Sequence, residues 1–391
     1  MILLRVFALF AAGLGAAAQF GKISVLFPAW AAAYPEAGAT LGFLLSLISL
    51  IGVILGLVAG MVVARVGFRR MMIAALLLGA ALSAVQSLML PLPAMLVLRA
   101  VEGLSHLAIV VAAPTLMAEI TDDKARPLAM SLWGTYFGVA FALYAVIGPS
   151  LLALGGLPVV LLSHAAYMVM LAGVLFLTLP DDRQLRAGAI AHPAQRLRLG
   201  TVLRRHAQAY ASPFVAAPAL GFLFYTATFV AILTVLPPYL PEATRDGLMT
   251  VLPVAGIITG LTLGAALLRL VPAVPVAICG FLAAAACALL TGLLPGASWP
   301  PVLLFCALGF VQGSSFASIP QINHDPADRA LANGALAQMG NLGNFIGTPI
   351  LLAMTGAMGL TGLVIFAVVA YCGGAALHLG AARMRKRNVL A

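Results

Sequence analysis

Charge is scarce in this chain. Of its 391 residues only 8% are Asp, Glu, Lys or Arg, and just 11 are acidic. Soluble domains carry about 25% charged residues, so a water-soluble enzyme of this length is excluded. The alternation of apolar and polar residues that a barrel strand of about 10 residues needs is missing from runs such as Ile73–Ala84, which excludes an outer-membrane barrel. Cysteine is sparse as well. Cys279, Cys287, Cys306 and Cys372 all fall in apolar runs without CxxC spacing or a nearby His, so disulfide and metal readings fail and small apolar packing residues remain. No P-loop, HExxH or GxSxG sequence occurs, which leaves an ATPase or hydrolase without machinery. No enzymatic activity, cofactor or metal is expected.

What the chain has is apolar length, with 63% hydrophobic residues. A helix crosses about 30 Å of hydrocarbon with about 20 such residues, so the chain is read as an all-α integral membrane protein. Cutting at Pro, Gly and charge clusters predicts twelve spans, at 4–31, 39–64, 71–90, 94–119, 128–154, 157–180, 214–240, 248–269, 273–294, 301–321, 330–357 and 359–381. Arg5, the run behind it and Ala16-Ala17-Ala18 imitate a secretory signal with its cleavage site. The run continues to Trp30, however, beyond the about 7–15 residues of a signal core, and is read as a retained span.

The net charge of +10 would fit a nucleic-acid partner, but the basic residues sit in short pieces between spans. With both termini cytoplasmic, 18 of the 21 basic residues fall on one side, leaving Arg245 outside and Lys22 and Arg99 within spans. This positive-inside bias orients a multi-pass protein of the cell's inner (plasma) membrane, with lipids and no nucleic acid around it.

The one long connection, 181–213, holds six arginines and divides the chain into six-span bundles at 1–180 and 214–382, followed by a cytoplasmic tail at 383–391. A repeat supports the division. Glu119-Ile-Thr-Asp-Asp-Lys-Ala-Arg-Pro-Leu-Ala129 parallels the stretch Gln321–Ala332, with Arg126 matching Arg329 at an offset of 203. Two parallel six-span repeats are the plan of many secondary transporters, whose solute site lies near the midplane between them.

The loop after span two, Gly60-Met-Val-Val-Ala-Arg65-Val-Gly67-Phe-Arg69-Arg70, resembles the G-x-x-x-D-R-x-G-R-R motif of the major facilitator superfamily, with Ala64 where that family has an acid. Arg99-x-x-Glu102-Gly103 is similar to its R-x-x-x-G motif, and Glu119 with Arg126 resembles a family ion pair. Gly138 and Gly148-Pro149 partly resemble the glycine-proline motif of drug/proton antiporters, with Tyr144 in place of a glycine. The resemblance covers essentially the whole chain. It implies a twelve-helix transporter that rocks one half against the other, a cavity lined by spans one, four, seven and ten, and a conformational latch built from Gly60, Arg65, Gly67, Arg69, Arg70, Glu119 and Arg126.

Only Lys22, Arg99 and Glu102 are charges well inside predicted spans. Each costs about 2.5–3.5 kcal/mol on lenient insertion scales, so such residues face a cavity or a partner. By helical rise, Lys22 and Glu102 sit about 7 Å outside the midplane and Arg99 about 12 Å, with His106 near the middle. Arg99, Glu102 and His106 share one helix face. Two readings stand: a polar cavity in which Lys22 or Arg99 attracts an anionic group while Glu102, with His106, handles protons, or a permanent ion pair that holds two helices together. The second half offers neutral groups, among them Tyr225, Gln312, Asn341 and Asn344, able to donate and accept or to bond between helices. The expected solute-binding set is Gln19, Lys22, Arg99, Tyr225, Gln312, Asn341 and Asn344, in a monomer moving a small polar, anionic solute with protons. A drug or metabolite/proton antiporter and a non-transporting membrane sensor or assembly factor on the same fold are the alternatives.

Overall fold

The computed structural model describes residues 2–122, 124–182 and 199–390. Arg183, Arg186, Arg196 and Arg198 of the central connection lie outside the described residues. Ten stretches among the described residues are long and apolar enough to cross a membrane, and two more spans complete twelve. Tyr136–Thr178 covers 43 residues, but Gly155 and Gly156 leave helical geometry within it, so it contains both span five and span six. Gly156 has a φ of +69°, which glycine adopts without a side-chain clash. The other is Pro326–Met358, whose Asn333, Gln338, Asn341 and Asn344 make it less apolar than the rest.

The helices are α1 (Ile2–Ser24), α2 (Phe27–Ala33), α3 (Gly38–Leu55, part 3-10), α4 (Ala59–Val66), α5 (Phe68–Gln86), α6 (Leu92–Ile120), α7 (Arg126–Gly134) and α8 (Tyr136–Thr178). After the central connection come α9 (Leu199–Ala211), α10 (Ala216–Val235), α11 (Arg245–Thr259), α12 (Ala273–Leu293), α13 (Trp299–Ile322), α14 (Pro326–Met358) and α15 (Leu360–Leu390). Two predicted spans are interrupted. Pro28 has no N–H for the ladder, and span one turns at Val25–Leu26 between α1 and α2. Span two opens at Gly56–Val58 between α3 and α4.

The chain forms two compact units, residues 1–37 with 58–197 and residues 38–57 with 198–391. In the first, α1 packs on α6 and α8, and α5 packs on α6 and α8. Its fully buried centre joins Leu9, Ala12 and Ala16 of α1 to Met72 and Leu76 of α5, Ile109 and Leu116 of α6 and Met168 of α8. Lipid supplies no hydrophobic drive between helices, so small residues that let backbones approach provide the packing, and α1 is accordingly rich in alanine.

In the second unit α10 packs along α14, while α12 packs on α13 and α15. Gly343 and Gly347 of α14 face the α10 main chain so closely that a Cβ on either would overlap Leu223 O or Ala227 O. The outer part of span two belongs to this unit. Gly42, Gly52 and Gly56 seat it on α14 at Pro349, Asn341 and Gln338. Where the helix opens, Gln338 Nε2 donates to Val53 O at 2.6 Å, and Tyr210 of α9 donates to Gln338 Oε1 at 2.7 Å.

Candidate functional site

Four helices of the first unit bring polar side chains together away from solvent. Lys22, Arg99 and Glu102 are all 0% exposed. Glu102 Oε1 accepts from Lys22 Nζ at 2.9 Å, and its Oε2 accepts from Arg99 Nη1 and from Gln86 Nε2 at 2.7 Å. Lys22 and Arg99 therefore both pair with one carboxylate. Arg99 Nη2 donates to Gln19 O at 2.8 Å, and Gln19 Nε2 donates to Ser105 Oγ at 3.1 Å. Lys22 Nζ also donates to Ser83 Oγ at 3.0 Å, and Trp30 Nε1 fixes the main chain there by donating to Lys22 O at 3.1 Å.

Two histidines border this cluster, each tied to the α1 backbone. His106 Nδ1 lies 3.1 Å from Ala16 O, and His164 Nε2 lies 3.0 Å from Gly15 O. A carbonyl only accepts, so each of these nitrogens carries the ring proton. The three charged side chains are two cations and one carboxylate, an excess of one positive charge. Sequence reasoning found Gln19, Lys22, Arg99, Glu102 and His106 but missed Ser83, Gln86 and His164. Their only signal was polarity inside predicted spans three and six, because the order of helices around the cluster is a tertiary property.

The second unit's candidates do not converge in this way. Tyr225 is buried in a ring stack with Phe222 at 5.2 Å and Phe229 at 5.5 Å. Asn341 Nδ2 donates to Ala337 O of its own helix at 2.8 Å while its side chain rests on Gly52. Gln312 of α13 and Asn344 of α14 are half-buried. Thr226, Thr228, Ser314 and Ser315 all donate to carbonyls of their own helices.

The expected latch residues also have definite places. Gly60 and Arg65 lie in α4, with the Arg65 side chain exposed. Gly67, at φ +108°, turns the chain into α5, and a Cβ there would run into the Asp182 carboxylate. Asp182 accepts from Arg69 N at 2.9 Å and Arg70 N at 3.2 Å, two of the free N–H groups at the start of α5. Such a carboxylate satisfies orphan donors and favours the positive end of the helix dipole. Arg69 pairs with Asp181 at 2.7 Å, donates to Phe176 O at 2.6 Å and lies over the Phe176 ring at 4.7 Å. Asp181 and Asp182, just after span six, are thus the acids that meet Arg69 and Arg70 at this turn. Arg126 donates to Ala118 O at 2.8 Å and Thr121 O at 3.2 Å, at the end of α6. Glu119 is in none of the four ion pairs among the described residues.

The internal repeat is structural too. Asp122 Oδ1 accepts from Ala125 N at 2.7 Å, and Asp325 Oδ1, at the same offset as the arginines, accepts from Ala327 N at 2.6 Å. Arg329 donates to Asn323 O at 2.8 Å, as Arg126 does at the end of α6. Twelve spans with an aspartate turn and an arginine cap at corresponding places in the two halves fit the parallel-repeat plan. The family model of the Major Facilitator Superfamily matches residues 6–348, and the chain belongs to that family. It is a multi-pass membrane protein and a secondary transporter of small solutes. Its fold is similar to the crystal structure of the human organic anion transporter MFSD10 (TETRAN), with a TM-score of 0.67 and 18% identity over 96% of this chain and 99% of that one. No curated protein sequence matches the chain.

Proposed function

We propose that the chain moves a small anionic solute coupled to protons, by rocker-switch alternation of its two halves at 1–180 and 214–382, as a monomer in the cell's inner membrane with both termini cytoplasmic. One observation carries the reading: a buried cluster in which Lys22 and Arg99 share the single carboxylate of Glu102. Such a cluster holds one positive charge more than it can pair, and buried charges are normally paired, so a solute anion is the group that complements it. MFSD10 is an organic anion transporter, but at 18% identity its likeness to this chain concerns the fold, and the anion assignment rests on the charge count.

The hydrogen bonds of Glu102 support proton coupling. Glu102, as a carboxylate, accepts from Lys22, Arg99 and Gln86. A protonated carboxyl gains an O–H donor and loses its charge, so a proton on Oε1 weakens the hold on the donor-only Lys22 ammonium there. An anion that draws Lys22 away vacates Oε1, and a proton taken there travels with the anion. His106 stands one turn further along α6. Gln19 orients Arg99 through its carbonyl, and Gln312, Tyr225, Asn341 and Asn344 are proposed as neutral solute-binding groups of the second half. The test is a thermal-stability screen of the purified protein against organic acids and lipophilic cations, since a ligand of the folded state raises its melting temperature by mass action. Stabilisation by organic acids is expected; stabilisation by cations alone would give the site to a drug/proton antiporter.

A further inference from the structure

We propose that Lys22 and His164 are alternative seats for one positive charge, and that His164 takes a proton at Nδ1 when Lys22 turns toward a bound anion. The inference rests on the proton-coupled anion reading above and gives its coupling step a second proton acceptor beside Glu102 Oε1. The protons around Ser83 carry it. His164 Nε2 donates to Gly15 O, and with the Lys22 ammonium 3.5 Å from Nδ1 the ring is taken as neutral, so that Nδ1 presents a lone pair. That lone pair faces Ser83 Oγ at 3.0 Å and Lys22 Nζ at 3.5 Å. Ser83 has one hydroxyl proton and two acceptors for it, His164 Nδ1 and Leu161 O, each at 3.0 Å. Lys22 already donates to Ser83 and Glu102, which leaves its third proton for His164 Nδ1 while the serine proton serves Leu161 O.

Removal of the ammonium therefore leaves this group one proton short. A proton on His164 Nδ1 restores the count: Nδ1–H donates to Ser83 Oγ, and the serine proton goes to Leu161 O. While Lys22 is in place the same proton is excluded, because a second positive charge would stand 3.5 Å from the first in a site closed to water. Among the described residues the charged groups facing His164 belong to this cluster, namely Lys22 from α1 and Arg99 and Glu102 from α6, and α5 contributes the neutral Ser83. Lys22 is also the member free to swing. Trp30 holds its main chain, whereas its side chain is a flexible four-carbon stem, and Arg99 stays on Glu102 within one helix, tied to Gln19 O. The proton comes from the aqueous phase with the anion, and it leaves when Lys22 reseats on the other side of the cycle.

The test uses full-length protein with 15N-labelled histidine in phospholipid nanodiscs, its His164 signals assigned by loss in His164→Asn. At about pH 6, near the unperturbed histidine midpoint, wild type is expected to show His164 protonated on Nε2 alone. Lys22→Met at the same pH is expected to show both His164 nitrogens protonated, with the His106 Nδ1–H signal unchanged as evidence of the fold. If Lys22→Met does not fold, Lys22→Gln is read the same way. A singly protonated His164 in the folded variant overturns the proposal, and so does a wild-type ring that carries its proton on Nδ1 or on both nitrogens. No solute is present, so failure here leaves the anion reading standing, and that reading fails separately if the stability screen returns cations only.

Discussion

Glu102 serves three donors with two oxygens, and its neutral isostere separates coupling from architecture. Glu102→Gln is expected to abolish accumulation driven by a proton gradient while sparing downhill exchange, measured as uptake and counterflow in proteoliposomes. The same change strands Lys22 and Arg99 in the interior, and breaking a buried pair costs about 3–5 kcal/mol. Its melting temperature should fall, and adding Lys22→Met should recover part of the loss by removing the unpaired ammonium. Lower stability with coupling intact would reduce the cluster to a structural clamp. The three charges were legible in the sequence because a charge inside an apolar run has no other explanation. Ser83, Gln86 and His164 were not, since a neutral polar side chain within a span is as readily a bond between helices as a site, and only the packing of α1, α5, α6 and α8 decides.

Helices that begin, break or approach closely each rest on one or two residues. Asp182 caps α5 from the far end of span six, so Asp182→Ala is expected to cost about 0.5–2 kcal/mol, the range for a lost N-terminal cap, read as a lower melting temperature. The break in span two rests on Gln338, which is itself held by Tyr210. Burial pushes the Tyr210 hydroxyl up to about 12, so at neutral pH it remains a donor. An acid raised by folding favours its protonated form in the folded state. Stability from this group is complete below the unfolded midpoint near about 10 and falls as pH rises from there toward the folded value. Tyr210→Phe should blunt that alkaline decline in a pH series of melting curves; an unchanged decline would place its cause elsewhere. The turn at Gly155-Gly156 could be read from glycine chemistry, but the opening at Gly56–Val58 could not. Glycines inside an apolar run mark close packing as often as a break, and the bond from Gln338 to Val53 spans 285 positions of the chain.

For the whole molecule, the fold was the most legible level. Hydrophobic length fixed the helices, basic residues supplied the expected orientation, and the repeat around Arg126 and Arg329 reappears as matching aspartate turns and arginine caps. What sequence could not supply is the assignment of the outer half of span two to the second unit, since packing partners are set by surfaces that meet only in the folded chain. Transport itself is a property at this scale and tests the central claim directly. Purified protein in proteoliposomes is given a panel of radiolabelled organic anions with an inside-alkaline proton gradient, with and without a protonophore. The expected result is accumulation of at least one anion above its external concentration, collapsing when the protonophore is added. Protein-dependent anion uptake that only equilibrates, unchanged by the gradient, would contradict it.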